Sequence, residues 1–593
     1  MCHKLYVLFS VVILLSCGLV PATYGQANTN VVVAFTTTNA TPLNPGFAGF
    51  TTELLGRGEE YGDTNMQHFA AMLSPGWLLF PAGTTGDAFN WQTGLTDTNW
   101  VNVIGERQGP NSSASNLTAV TVLALQGKGG AQFTNFAAMA ASLGGAKIIV
   151  CINGFTDTNP ADAGAFAAFA LSNHIPVSAW ELCNEPYLFQ SGANPFFTNG
   201  YDYCNQMLPY AKAIKNADPN AVVAVFFSDP SRAGMSWDNA LAAYGATNQF
   251  WDSVVYHYYP QLPTTATFAQ LMAMDNGILF SNSTLYVTNT LMADSGTNTT
   301  YLLTELNPII GNTGVGQNLP TSSIYGGIFD TEYIMRLSTC PQVKFAGSYQ
   351  LVDGSGIDTT NDHWNAVTTA AGNGYVTNTV GLPFGYYLSA QGSAEAVAFW
   401  AINRSTAVYA TSVVGTNCPV VPMDTNSLTT MPAVYAQAYQ GGNGKRYVVL
   451  TNKGSNAVPV QVTQDGVVLT NQFLETFVTA TDPSVVNSNP PATNNVAIQT
   501  GTVTNVVMIP EYSVVRLEWT VFSVPPPTLT LSVSGPAQTV SWAGLTNVTY
   551  AVQGTTNLLS AWPTLGKVAN TQTGFSFTNW NTGPQQFFRV LVP

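Results

Sequence analysis

Charge is what this sequence has least of. Only 8% of its 593 residues are Asp, Glu, Lys or Arg, and 17 Lys and Arg against 31 Asp and Glu leave a net charge of −14. So small a basic complement cannot neutralise a phosphate backbone or an anionic lipid face, which excludes nucleic acid and the membrane surface as expected partners. Histidine is as scarce, with five residues, and the seven cysteines match no zinc-binding spacing, so neither a metal nor a cofactor is expected. Two Gly- and Lys-containing stretches, Gly127-Lys128-Gly129-Gly130 and Gly442-Asn443-Gly444-Lys445, lack phosphate-loop spacing and read as turns. A membrane-spanning run is missing too: the apolar stretch from Leu5 to Leu15, behind Lys4, is too short to span a bilayer and has the proportions of a signal-peptide core. Residues 1–27 are expected to direct export, which makes the protein secreted, extracellular or periplasmic. A lipid anchor at Cys17, after Leu14-Leu15-Ser16, is the alternative. Export would leave Cys151, Cys183, Cys204, Cys340 and Cys418, read as buried thiols with at most one or two disulfides.

What is present is apolar and β-prone: hydrophobic residues make up 46%, and Gly, Asn and Thr are plentiful. The chain is too long for one core. Residues 28–42 read as an N-terminal strand that joins a sheet formed much later in the sequence. From 43 to 404 short apolar strands alternate with helical segments, the pattern of a (β/α)8 barrel. Its strands are placed at 46–53, 77–81, 147–153, 175–182, 221–227, 251–259, 301–305 and 343–351. Beyond 405 the hydrophobic period drops to two, which predicts a β-sandwich over 405–522. Pro525-Pro526-Pro527 closes a stiff linker, 523–527, and 528–593 reads as a small all-β module. The expected fold is therefore α/β: a (β/α)8 TIM barrel with an associated β-sandwich and a C-terminal all-β module. Trp542, Trp562 and Trp580 in that module are read as core fillers, the default use of Trp in a small β-domain.

Chemistry concentrates at strand ends, where a parallel barrel presents its catalytic side chains. Ala179-Trp180-Glu181-Leu182-Cys183-Asn184-Glu185-Pro186 ends a buried strand on an Asn-Glu pair stopped by proline, and Tyr301-Leu302-Leu303-Thr304-Glu305 delivers a second acid. Between them a strand ends on His257-Tyr258. Two carboxylates across one barrel mouth suit glycoside hydrolysis: Glu185 as acid/base, protonated beside the negative Glu305, and Glu305 as nucleophile. Asn184 is expected to bond a sugar 2-hydroxyl, Tyr258 to orient the nucleophile, and Asn153 and His257 to line the site.

Three stretches carry a resemblance: Trp180 to Pro186, Asp252-Ser253-Val254-Val255-Tyr256-His257-Tyr258-Tyr259, and Gln342 to Asp353 with Gly347-Ser348-Tyr349-Gln350 at its centre. They are similar to the corresponding strands of the heparanase and β-glucuronidase family, glycoside hydrolase family 79 of clan A. The resemblance covers roughly residues 30–520 and implies a retaining β-glycosidase acting on a glycoside or oligosaccharide. It makes Glu185 the acid/base, Glu305 the nucleophile, Tyr349 a contact for a substrate carboxylate, and Gly83, Thr84 and Asp87 part of the glycone pocket. Cys183 stands where that family has Gly, and Gln350 where it has His. The stretch from Gly49 to Gly58, with Glu53 inside it, instead resembles the first strand of family 51 arabinofuranosidases of the same clan, so an α-L-arabinofuranosidase or another exo-glycosidase is the alternative activity. A non-catalytic carbohydrate-binding or adhesion protein is the alternative of another class. A chain at −14 repels a sulfated polysaccharide, and no basic run flanks either acid. Heparan sulfate at physiological salt should therefore be cleaved poorly compared with short neutral glycosides; efficient release of sulfated oligosaccharides would overturn the charge argument.

Overall fold

The computed structural model describes residues 31–591 apart from 53–60, 82, 109–131, 155, 191–194, 230–234, 263–282, 296–298, 311–321, 353–365, 370–385, 415–419, 423–429, 443, 471, 488–495, 522–528, 544–548, 557–561, 570–573 and 581–586. Residues 1–27, expected to direct export, Cys17, Cys418 and residues 127–130 lie outside these residues.

A long first strand, β1 (Val31–Pro42), precedes eight strands that close a parallel barrel: β2 (Ala48–Thr51), β3 (Trp77–Phe80), β4 (Lys147–Ile152), β5 (Val177–Leu182), β6 (Val223–Phe226), β7 (Ser253–Tyr258), β8 (Thr300–Leu306) and β9 (Val343–Ser348). Neighbours in the barrel follow chain order, and β9 returns to pair with β2. The strands read as continuous apolar runs because both of their faces are covered: β3, β6 and β7 are buried at every residue, by the interior on one side and helices on the other. Trp77 fills the floor of the barrel, and its indole Nε1 donates to Phe47 O at 3.1 Å. The indole fits because Gly49 and Gly347 carry no side chain; a Cβ on Gly49 would lie 2.5 Å from the Trp77 ring and one on Gly347 2.4 Å from it.

Helices α1 (Thr64–Leu73), α2 (Thr98–Gln108), α3 (Phe133–Ser142), α4 (Pro160–Ser172), α5 (Gly200–Ala217), α6 (Met235–Asn248), α7 (Ile324–Leu337) and α8 (Ala390–Ile402) connect and follow the strands. Their starts are written locally. Asp63 caps α1 by accepting from Asn65 N and Met66 N, Asn159 caps α4 ahead of Pro160, and Ser389 caps α8 through Gly392 N.

The chain then builds a β-rich domain from β10 (Ser405–Val414), β11 (Val434–Gly441), β12 (Lys445–Asn452), β13 (Val458–Gln464), β14 (Gln472–Thr479), β15 (Gln499–Thr504), β16 (Val506–Ile509) and β17 (Ser513–Thr520), which share one ten-stranded sheet with β1. Strand β1 pairs antiparallel with β10 and parallel with β13, so the two ends of the barrel segment are stitched into the same sheet. One core of this domain gathers Val33, Phe35, Val460, Val515 and Trp519. Its other face, with Tyr439, Tyr447 and Val514, joins the barrel core at α7 and α8. Gly442 and Gly444 lie between β11 and β12, and Lys445 N donates to Gly442 O at 3.1 Å. Two three-stranded antiparallel sheets make up the C-terminal module around Val540, Trp542, Tyr550 and Phe575. Trp542 is core, but Trp562 lies under the Arg589 guanidinium and Trp580 is 70% exposed, so core filling accounts for one of the three tryptophans.

Barrel and β-rich domain are joined by a buried ionic knot. Glu332 on α7 has no exposed surface; its carboxylate takes Lys453 Nζ at 2.5 Å, Arg336 Nη2 at 2.8 Å and the Thr451 hydroxyl at 2.9 Å. Burial pushes its pKa up, but Lys453 and Arg336 outweigh this and hold it below the ordinary value. Removing one partner of such a pair strands a charge in the interior. Lys453→Met should therefore lower the unfolding free energy by about 3–5 kcal/mol in urea titrations, and Glu332→Gln added to it should restore part of the loss. A loss below about 1 kcal/mol, the range of surface pairs, would show that the contact does not hold the domains together.

Candidate active site

Strand β5 fixes which of its side chains can reach the barrel axis. Trp180 packs edge-on against Phe166 of α4, with ring centres 5.3 Å apart, so the alternating residue Glu181 faces the interior. Beyond Leu182 the backbone turns sharply: Cys183 (φ 67°) and Glu185 (φ 41°) are both left-handed, and Pro186 opens the short 3-10 turn Pro186–Phe189. That conformation suits glycine, the residue the resembled family has at position 183. Asp87, in the turn after β3, pins this bend by accepting from Asn184 N at 3.1 Å. Glu185 is thereby brought to the mouth, where Tyr187 donates its hydroxyl to Oε1 at 2.7 Å.

Glu305 arrives by a different device. Along β8 the register against β7 shifts between Leu303 and Glu305, so that Glu305 rather than Thr304 stands opposite His257. This irregularity re-aims the strand end, a familiar use of the bulge beside a functional site. Tyr259 donates its hydroxyl to Glu305 Oε2 at 2.6 Å. Gly83 leaves room at Oε1, since a Cβ there would lie 2.7 Å from that oxygen.

His257 joins the two acids. It has no exposed surface, and its Nδ1 lies 3.0 Å from Glu185 Oε1 and 3.2 Å from Glu305 Oε2, while Nε2 faces Thr304 Oγ1 at 3.2 Å. One oxygen of each carboxylate and Nδ1 all lie within 4.8 Å of one another. Carboxyl groups stand about 5–5.5 Å apart in retaining glycosidases and about 6.5–9.5 Å apart in inverting ones, and oxygens this close suit the shorter spacing. Burial disfavours the imidazolium, but Glu305, the bond to Glu185 and Glu181 outweigh it and raise the His257 pKa to about 9. Glu181, fully buried beneath, is pushed by burial to about 8 against the opposing influence of His257 and Thr304. Burial, with Glu185 and Glu305 nearby, likewise holds the Asp87 pKa well above the ordinary range. The same trio offers three ligand atoms that could hold a metal ion.

The sequence-expected residues divide. Glu185, Glu305 and His257 come together, with Tyr349 close by: its ring meets that of Tyr259 at 6.0 Å. Asn184 is buried beside Glu185, and Gln350, also buried, follows Tyr349 through a cis peptide bond. Asn153 uses Oδ1 on the loop behind it, accepting from Thr156 N and Oγ1, so it supports the rim with that oxygen. Asp87 likewise serves the Asn184 backbone. Glu53 and the Thr84 side chain lie outside the described residues. One expectation is corrected: the hydroxyl on the Glu305 carboxylate belongs to Tyr259. Tyr258 points to the other side of β7 and packs its ring against Tyr333 of α7, with centres 5.3 Å apart. Strand alternation puts 257 and 259 on one side and 258 on the other, a signal present in the sequence. Tyr187 was also missed; its place two residues beyond Glu185 was its only mark. The four described cysteines, Cys151, Cys183, Cys204 and Cys340, are buried free thiols.

A hydrogen bond to a charged group is worth about 1.5–3 kcal/mol. Tyr259→Phe should therefore lower kcat/KM on an aryl glycoside about 10- to 100-fold, with Tyr258→Phe retaining most of the activity. The reverse order would return the nucleophile contact to Tyr258.

No family model matches the sequence, and no curated protein does either. Among solved structures, the fold is similar to the family 51 arabinofuranosidase of Xanthomonas axonopodis pv. citri, with a TM-score of 0.59 and 14% identity over 82% of this chain and 99% of that one. It is similar to the α-L-arabinofuranosidase of Thermotoga maritima at TM-score 0.59 and 16% identity, over 83% and 100%. A family 51 α-L-arabinofuranosidase of Bifidobacterium longum matches at 0.59 and 13%, over 84% and 100%. At these identities the likeness is one of fold: a closed eight-stranded barrel with a β-rich domain, spanning the whole length of each of those enzymes.

Proposed function

We propose that the protein is a retaining glycoside hydrolase of the clan A type, with Glu305 as nucleophile and Glu185 as acid/base. The observation that carries this reading is the pair of buried carboxylates at the barrel mouth that share His257 Nδ1, with oxygens within 4.8 Å. In the first step Glu305 attacks the anomeric carbon while Glu185 protonates the departing oxygen. In the second, Glu185 takes a proton from water, which cleaves the glycosyl ester on Glu305. Tyr187 and His257 both donate to Glu185 Oε1. An oxygen accepting two hydrogen bonds is the less basic of the two, so the transferred proton is assigned to Oε2. Tyr259 and His257 hold Glu305 Oε2, which favours attack through Oε1, beside Gly83.

Two substrate readings follow. The β-glucuronide reading rests on the family 79 resemblance and on Tyr349 near the nucleophile. The α-L-arabinofuranoside reading, or another neutral exo-glycoside, is favoured by fold likeness over the whole length of several arabinofuranosidases and by the company of the acids. Among the described residues, the groups whose charge acts on the two acids are Asp87, Glu181 and His257, with no Lys or Arg. Secretion, or anchoring at Cys17, belongs to the same proposal and rests on the N-terminal segment alone.

A panel of aryl β-glucuronide, α-L-arabinofuranoside, β-glucoside and β-xyloside tests the reading, with the first-formed anomer followed by NMR. Retention is expected. Glu305→Gln should abolish turnover in a folded protein, and Glu185→Ala should slow poor leaving groups by on the order of 10²–10⁴ and activated ones far less. An inverted first product, or no cleavage of any glycoside, would overturn the proposal.

A further inference from the structure

Away from the mouth, one charged side chain meets a cavity with part of its hydrogen-bonding capacity unused. Arg336 is the penultimate residue of α7, the helix that leads from the end of β8 back to the start of β9, so it stands toward the floor of the barrel and not at the end where the two acids meet. Its side chain is 15% exposed. One edge of the guanidinium, Nε and Nη2, donates to Glu332 Oε1 at 3.2 and 2.8 Å, and one face lies over the Tyr435 ring, 4.2 Å from its centre. Glu332 has nothing more to give, because its other oxygen takes Lys453 Nζ and the Thr451 hydroxyl. Nη1 donates to no other side chain or carbonyl among the described residues. The side of the guanidinium that remains is the edge of Nη1 and Nη2, whose parallel N–H groups match two oxygens of one acid group.

Arg336 lines a cavity of about 390 Å³ at the joint between the barrel and the β-rich domain. Asn39 and Thr41 of β1 and Tyr435 of β11 line it from the β-rich side, and Thr284, between β7 and β8, from the barrel side. A cavity of a few hundred Å³ at a domain interface, with aromatic walls and a few convergent polar groups, is the usual shape of a small-molecule site. No Asp or Glu is among the described residues that line it, and Arg336 brings the charge. A cation would be repelled and a neutral molecule would leave the guanidinium edge unpaired, so an anion is the complementary ligand. The lining also selects among anions. The side chains of Asn39, Thr41 and Thr284 have no hydrogen-bond partner among the described residues, which leaves them to meet hydroxyl groups. A carboxylate brings one negative charge to a guanidinium that already faces Glu332, whereas a phosphate dianion would bring two. We propose that this cavity binds a small hydroxylated carboxylate of the sugar-acid type, with its carboxylate on Nη1 and Nη2 of Arg336 and its hydroxyls on Asn39, Thr41 and Thr284. Such a ligand touches both domains, so its binding stabilises their joint. The site is separate from Glu185 and Glu305 and does not rest on the glycosidase reading.

Titration calorimetry of the full-length protein with D-gluconate tests this, beside acetate, sorbitol and phosphate at constant ionic strength. Gluconate is an open-chain acid with no anomeric centre, which keeps it distinct from a glycone at the barrel mouth. It should bind and should raise the thermal unfolding midpoint in step with occupancy. Acetate, which has the carboxylate alone, should bind more weakly, and sorbitol, which has the hydroxyls alone, not measurably. Arg336→Lys keeps the charge and loses the fork, and should weaken gluconate about 10- to 100-fold. That variant also disturbs the Glu332 knot, so Thr284→Val, which leaves the knot intact, is made beside it. It should weaken gluconate about 2- to 10-fold and leave acetate unchanged. If Arg336→Lys does not fold, Thr284→Val decides alone. Gluconate affinity that Thr284→Val leaves unchanged would overturn the proposal, and so would sorbitol binding as tightly as gluconate, phosphate binding where gluconate does not, or no binding of gluconate at all. A protein that binds gluconate in this way and cleaves no glycoside keeps this site and loses the glycosidase reading.

Discussion

The site depends on one shared hydrogen-bond donor. Glu185 and Glu305 are buried within 4.8 Å of each other, and two ionised carboxylates at that distance would repel strongly in a medium from which water is excluded. The imidazole of His257 lies between them at 3.0 and 3.2 Å, and against the effect of burial the nearby carboxylates raise its pKa to about 9. A rigid ring also fixes geometry, because one oxygen of each carboxylate lies on the same nitrogen, Nδ1. The surrounding structure can be read as holding that ring: β7 carries it, Phe226 on β6 presents its face or edge at 5.0 Å, and Thr304 occupies its second nitrogen.

Around this centre the acids are differentiated by their neighbours. Glu185 takes its second donor from Tyr187 on the turn that follows it, and Glu305 takes one from Tyr259 just beyond β7. One donor is local in sequence; the other lies 46 residues away. Such an arrangement allows one acid to hold a proton while the other is ionised, the division of labour that double displacement requires. The rest of the barrel supplies stiffness, with strands buried on both faces and a β-rich domain fastened to α7 and α8. The Glu332 knot applies the same principle far from the mouth: a buried carboxylate persists there because Lys453, Arg336 and Thr451 satisfy it.

The barrel could be read from the sequence because its strands are continuous apolar runs separated by helical patterns. The period change after residue 405 marked the β-rich domain for the same reason. Strand-terminal carboxylates were legible as well, since Asn184-Glu185-Pro186 and Thr304-Glu305 end apolar runs. The error at Tyr258 came from taking the residue next to a histidine as its functional companion when a period of two assigns that place to Tyr259. Glu181 was legible only as part of a motif; nothing in a strand pattern distinguishes a buried acid from a solvated one.

By itself, then, the sequence determined the fold class, the order of the elements and the two acids at strand ends, because each follows from local periodicity and from the residues that end a strand. Only the tertiary structure decided which groups meet. The register shift between Leu303 and Glu305 turns Glu305 toward His257, and it arises from pairing between strands some 47 residues apart, which no local pattern encodes. The left-handed turn at Cys183 and Glu185 depends likewise on Asp87, 97 residues upstream of the backbone it pins. Charge is the last such quantity. Whether Glu181 or His257 carries a proton is set by burial and by neighbours brought in from other strands, and these exist only once the barrel has closed.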